Sequence, residues 1–281
     1  MLEGYLLPGV PVALFWTFVG AAIVVQGISK SGFAGGAGIL SLPLMMLVMP
    51  VDKVTASLLP LLILCDMNAI YHHRRNQVWA KIWEIYVPAV FGILLGAAVW
   101  WWVGEAGVQA YAPHIKRFVG VIAILFGCYI LAKEASMRWV EEHKAGWKTA
   151  WSAGLFAGFS STIAHAAGPV VSLFMYSQGL SKTLFVGTVA WTFTLINLTK
   201  LPFYVYVGLI DPGVLRFDLF LVPLIPIGSY MGHWMLLRVS EKLFTLIILV
   251  LSLLAGLQLV LNINVIQIAL ATIAGLGGAP K

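Results

Sequence analysis

"GISKSGFAGGAGILSLP", residues 27–43, interrupts a run of nearly pure hydrocarbon with five glycines, a lysine and a proline. The apolar piece that follows, about residues 38–50, is too short to cross about 30 Å of bilayer core at about 1.5 Å per residue. It must therefore meet another element at mid-depth. Irregular backbone at that depth is tolerated only where protein or a water-filled cavity satisfies its polar groups, so the stretch is expected to face inward. Gly35, Gly36 and Gly38 let a ligand approach the chain closely and leave amide N–H groups free at the start of the next helix, where the helix dipole favours an anion. Close helix packing is the simpler use of glycine, and it accounts for Gly92-x-x-x-Gly96 and Gly228-x-x-x-Gly232. Packing alone has no need of Lys30 or Ser31, and a charged residue at membrane depth is by default a functional candidate.

The surrounding chain fits that reading. Of 281 residues 60% are hydrophobic and 10% charged, and the mean hydropathy is +0.94, which excludes an ordinary soluble domain. Apolar runs recur at 10–29, 54–71, 82–103, 115–132, 183–210, 214–237 and 243–261, and because they are apolar all round they read as helices, not as strands of a membrane barrel. The longest polar stretch is 133–148, so no catalytic or nucleotide-binding domain is expected, and transport energy would come from an ion gradient or from the substrate's own. The first ten residues, "MLEGYLLPGV", lack the basic region of a signal peptide, so the first run is read as a retained helix. Cys65 and Cys128 fall inside apolar runs and are expected to be reduced packing residues. The formal net charge of +6 is read as loop charge; no nucleic-acid partner is expected.

Spacing exposes two halves. Gly32-Phe33 precedes Pro43, and Gly158-Phe159 precedes Pro169, by ten residues from the Phe in both; Lys53 precedes Asn68, and Lys182 precedes Asn197, by fifteen. Pro88, Gly92 and Gly96 are then answered by Pro223, Gly228 and Gly232. The order predicts one transmembrane domain over 1–281 with repeat 1 at about 8–135 and repeat 2 at about 147–265, each of about five segments. An odd number of crossings inverts the second half, giving an all-α polytopic membrane protein with inverted repeats and eight to ten transmembrane segments. With the N-terminus outside, ten of the seventeen Lys and Arg residues fall in cytoplasmic loops (72–81, 133–148, the turn at Lys182, 238–242). That bias favours external, periplasmic termini.

The first block, "GISKSGFAGGAGILSLPLMMLVMPVDKVTASLLPLLILCDMNAIYHHR", resembles the glycine-rich opening and P-L-L-x-x-x-D signature of the sulfite exporter TauE/SafE family. The second, "GFSSTIAHAAGPVVSLFMYSQGLSKTLFVGTVAWTFTLINLTKLPFYVYVG", is similar to a version common in one large branch of it. The resemblance implies a multi-pass protein of the bacterial inner membrane that exports small sulfur oxyanions such as sulfite or sulfonates, coupled to protons, without fixing which anion. His165 stands where many members of the family carry Asn, which puts pH behaviour or substrate preference in question.

The candidate anion contacts are Lys30, Ser31, Gly35, Gly36, Asn68, His165, Gly168, Asn197 and Lys200; the candidate proton-coupling groups are Asp66 and His165. Each has a second reading. Lys30 could bind the anion, pair with Asp66 or snorkel to the interface. Asp66 could be a lysine's charge partner, a helix cap, or a proton carrier. Lys200 precedes Pro202 and could donate to carbonyls that the proline frees. Asn68 and Asn197, the repeat-related amides, could donate to an oxyanion or bridge helices. His165 could couple proton movement or be an interior histidine. The run His72-His73-Arg74-Arg75 is read as a topology determinant, because adjacent ligands on a helix diverge. No metal or cofactor is expected. Trp100, Trp101 and Trp102 are read as interfacial. The function classes that stay open are a secondary transporter working by alternating access around the two breaks, a passive anion channel, and an importer of a related anion. The partners expected are a small anionic sulfur compound, protons and lipid. An enzyme is not expected, since H-E-x-x-H, G-x-S-x-G and a paired catalytic Asp motif are missing.

Overall fold

The computed structural model describes residues 4–32, 38, 40–73, 75–131, 146–238, 250, 253–254 and 256–262. Among them the fold is all helical. Helix α1 (Val12–Gly32) runs into the first glycine-rich break, followed by a short α2 (Ser41–Met46), a long α3 (Val51–His73), α4 (Trp79–Ala106) and α5 (Val108–Leu131). The order then recurs: α6 (Trp147–Ala164) runs into the second break, followed by a short α7 (Gly168–Ser177), a long α8 (Lys182–Tyr206), and α9 (Pro212–Leu219) with α10 (Leu224–Arg238). Gly35, Gly36, the polar stretch 133–145, residues 239–242, Lys281 and most of the expected run 243–261 lie outside the described residues.

Among the described residues four helices are long and apolar enough to cross a membrane, five if α9 and α10, bent by 55° at their junction, count as one span. The eight to ten expected segments are not reached among the described residues. The short pieces α2 and α7 are six and ten residues long, and the run 214–237 is divided at 220–223. Asp211 caps α9 by accepting from the Val214 amide at 2.9 Å, with Pro212 in the first turn, where its missing N–H costs nothing.

Glycine explains which helices meet. The most extensive contacts join α4 to α6 and α1 to α10, so α1 packs on a helix far along the chain. On the first seam Gly92 lies against the Leu155 carbonyl, Gly96 against Thr162, and Gly158 against the Ala89 carbonyl, where a Cβ would overlap them. On the second, Gly228 lies against Val24 and Gly27, and Gly232 against Ile28. Both G-x-x-x-G pairs thus serve close backbone approach. Helix α3 packs on α8 between the seams.

The molecule is apolar outside as well as in. Leu95, Phe91, Trp151 and Leu254 are exposed, as lipid-facing side chains are. Two apolar clusters form the interior: one centred on Phe15, Met45, Leu58, Leu59 and Phe217, the other on Ile85, Ile93, Val171, Met175 and Phe193. The tryptophan triplet splits. Trp101 and Trp102 are 53% and 52% exposed, but Trp100 is 2% exposed and donates its indole N–H to the Thr162 carbonyl at 3.0 Å. Successive residues on a helix point about 100° apart, so three in a row cannot all face the interface. Cys65 is buried, Cys128 is exposed, and both are free thiols.

Candidate functional site

Three of the expected polar residues meet where α1, α3 and α8 come together. Asp66, fully buried in the middle of α3, holds the Lys30 ammonium of α1 at 2.5 Å on Oδ1. Its Oδ2 accepts from Asn197 Nδ2 of α8 at 2.6 Å. The Lys30 ammonium also lies 4.1 Å from the centroid of the Phe193 ring, a cation–π contact that is strong in a desolvated setting. Lys30 therefore does not snorkel, and Asp66 is its charge partner.

A second cluster forms at the end of α6. Here His165 is the C-cap, with φ 49° in the left-handed region, where a non-glycine residue is uncommon and Asn, Asp and His are the tolerated exceptions. The left-handed turn lets the His165 and Ala166 amides close back on the Ser161 and Ser160 carbonyls, the usual way to satisfy a helix end. Lys200 of α8 donates to the Ser161 carbonyl at 3.1 Å, to Ser161 Oγ at 2.9 Å and to His165 Nδ1 at 3.2 Å. An ammonium only donates, so Nδ1 accepts; the ring proton then sits on Nε2, which donates to the Thr55 carbonyl of α3 at 2.9 Å. His165 is thereby a neutral imidazole with both nitrogens engaged. The carbonyl that Lys200 serves belongs to α6, and its own helix runs on through Pro202 without a break. Tyr204 and Trp100 likewise both donate to the Thr162 carbonyl.

Between the two clusters the described residues leave a cavity of about 20 Å³, lined by Gln26, Lys30, Gly38, Leu62, Ser161, His165, Ala167, Gly168, Phe193 and Asn197. Both breaks reach it: the first through Gly38, the second through Ala167 and Gly168 at the start of α7, a helix with no side-chain N-cap. Lys200 stands one residue back, behind Ser161 and His165.

Not every expected contact comes to the cavity. Asn68 donates to Ser229 Oγ of α10 at 2.6 Å, and Ser31 shares a 2.5 Å hydrogen bond with the same hydroxyl. These two stitch α1, α3 and α10 together away from the cavity lining. Gln26 is the residue that sequence reading missed. Its Oε1 accepts from Ser41 at 3.0 Å, and its amide lies where a Cβ on Gly38 would intrude. The signal was present, since Gln26 is four residues before Lys30 and so on the same face of α1. Among the described residues no group of three or more His, Cys, Asp or Glu could hold a metal ion.

A helical bundle that is apolar outside and encloses charged groups around a small cavity reached by two broken helices is the build of a membrane transporter. Residues 18–259 match the model of the sulfite exporter TauE/SafE family, nearly the whole chain, and the protein belongs to that family. No curated protein and no solved structure matches it. Membership makes it a multi-pass membrane protein of a family of sulfur-anion exporters.

Proposed function

We propose that the protein exports a small sulfur oxyanion, sulfite or a sulfonate, across the bacterial inner membrane by proton-coupled alternating access around the Lys30, Asn197, His165 and Gly168 cavity. One observation carries the reading: the buried Lys30 side chain lines this cavity, held by the Asp66 carboxylate and lying over the Phe193 ring, with Lys200 packed behind Ser161 and His165. A buried ammonium is costly unless it is paired, so an anion in the cavity can take the place of Asp66 at Lys30. Lys30 retains ammonium donors for that anion, Gln26 and Asn197 offer amide N–H groups, and the start of α7 presents the favourable end of a helix dipole.

A water needs roughly 10–15 Å³, and the cavity measures about 20 Å³, so an oxyanion enters only when its walls part. The described arrangement corresponds to a closed state. As the anion arrives, the Lys30 ammonium turns to it and Asp66 loses its counter-charge while still buried. A buried carboxylate without a cation takes up a proton, which ties proton movement to anion movement at one carboxyl. His165, with both nitrogens occupied, acts as a fixed acceptor for Lys200, leaving Asp66 as the coupling group. The repeated spacing and the crosswise helix seams support two inverted halves, at about 8–135 and 147–265, that rock about the breaks, with both termini on the periplasmic side.

The test is flux in proteoliposomes for a panel of sulfur oxyanions, with and without a pH gradient, beside counterflow of labelled against unlabelled anion. Coupled export requires oxyanion flux that follows the gradient, and an Asp66→Asn variant that keeps counterflow but loses gradient-driven flux. Oxyanion flux that ignores the gradient in both proteins would make this a passive channel.

A further inference from the structure

A second buried carboxyl lies well outside the cavity. Asp218 sits one residue before the end of α9, next to the 55° bend that divides α9 from α10, and it is 3% exposed. Its Oδ1 accepts a hydrogen bond from Ser57 Oγ of α3. Its Oδ2 is buried and makes no hydrogen bond among the described residues. The charged and titratable groups on the elements packed around it are Tyr5 of the N-terminal segment, Asp52 and Lys53 of α3, and Asp211 and Arg216 beside it on its own element. None neutralises it. Lys53 pairs with Asp211, 3.8 Å away, and Arg216 is exposed. The phenol of Tyr5 is pushed up, chiefly by burial and then by Asp211, so it stays neutral. Helix α1 contributes only the rings of Phe15 and Trp16, packed on Phe217.

An ionised carboxylate in this setting would have one neutral donor, one bare oxygen and no cation, which is the costliest way to bury a charge. A hard metal cation would need several further oxygens, and no cluster of acidic or histidine ligands accompanies Asp218 among the described residues. The remaining species that satisfies the carboxyl is the proton itself.

We propose that Asp218 is a second proton-binding site of the transporter, holding a proton of its own against Ser57 in the closed arrangement, separate from the Lys30 and Asp66 centre. The site joins α3, which carries Asp66 and the Thr55 carbonyl that fixes His165, to the bent α9. Loss of the proton charges a buried oxygen that has no partner, so it favours a state in which water reaches the bend. Protonation therefore holds α9 on α3, and deprotonation releases it. The role in transport rests on the proton-coupled reading above; the proton itself does not.

Infrared spectra of the full-length protein in liposomes test the site directly. At neutral pH the wild type should show a protonated-carboxyl C=O band that shifts in D2O. The band should vanish in Asp218→Asn, persist in Asp66→Asn, and move in frequency in Ser57→Ala, which removes the hydroxyl partner and leaves the acid. A band that survives in Asp218→Asn, is lost in Asp66→Asn, or is unmoved in Ser57→Ala overturns the proposal. In sulfite flux, Asp218→Asn should flatten the pH dependence while counterflow stays within about twofold of wild type. An unchanged pH profile overturns the release step. If wild-type flux shows no pH dependence at all, it is the coupled-transport reading that fails, and the infrared band still decides whether Asp218 carries the proton.

Discussion

Lys30 and Lys200 are ammonium groups buried in one bundle, and they are kept there by opposite means. Lys30 is held by a charge: Asp66 at 2.5 Å, with Asn197 steadying the carboxylate from the other side. Lys200 is held by neutral acceptors only, the carbonyl and hydroxyl of Ser161 and the Nδ1 of His165, at a helix C-terminus whose dipole suits a cation. The first charge is cancelled where it stands and can change partners. The second has all three of its protons committed to the frame, so its charge is left to act on whatever enters the cavity. On the proposed reading, one lysine exchanges with the substrate and the other stays with the frame.

The largest effect that separates them is on stability. Replacing Asp66 by Leu strands a buried ammonium and should cost about 3–5 kcal/mol, read as a lowered unfolding temperature of the detergent-purified protein. The double variant Lys30→Met with Asp66→Leu should recover most of it; equal losses in both would show that the ion pair is not what keeps Lys30 inside. Lys200→Met strands no opposite charge. It should leave the protein recoverable from membranes yet lower the apparent affinity for sulfite roughly 10-fold, through loss of a cation's field across Ser161 and His165 and not of a direct hydrogen bond. Wild-type affinity in that variant would remove Lys200 from the anion's field.

A smaller effect tests the frame. His165→Asn keeps a residue that accepts the left-handed turn and should fold normally, whereas His165→Val places a branched side chain at φ 49° and should cost about 1–2 kcal/mol, again by thermal unfolding. Equal stability of the two would mean that the helix end has relaxed. The smallest effect is a control on the worth of burial. Lys81 and Glu84 form a 2.7 Å pair at the surface, and Lys81→Ala should change stability by less than about 0.5 kcal/mol.

Much of this was legible in the sequence, and the limits follow from geometry. Glycine spacing marked the breaks and both helix seams because close backbone approach leaves a residue-type signature along a single helix. Lys30, Asp66, Asn197 and Lys200 stood out because charge and amide groups are rare in hydrocarbon. Their partners did not. Asn68 and Asn197 each follow a lysine by fifteen residues, yet one bonds Ser229 and the other Asp66, a divergence set by what the opposing helix offers. Asp218 was passed over inside an apolar run, because its Ser57 partner is 161 residues away in the chain and the bend that buries it carries no glycine. Trp100 was misassigned for a different reason: a tryptophan triplet reads as one belt until the helical turn sends one ring inward.

The crosswise seams also bear on how the chain is made. Helix α1 is synthesised early, but the surface of α10 that matches its glycine face arrives nearly two hundred residues later, since Ser31 and Ser229, 198 positions apart, meet on that seam. At roughly 5–20 residues per second α1 waits about 10–40 s in the membrane without its partner. During that interval Lys30 has Asp66 for company, because α3 follows α1 closely in the chain, so the early ion pair shelters a charge that the nascent helix would otherwise expose to lipid. A chain split between α5 and α6 should therefore yield two pieces, neither stable alone, that recover the native bundle only when both are inserted in the same membrane.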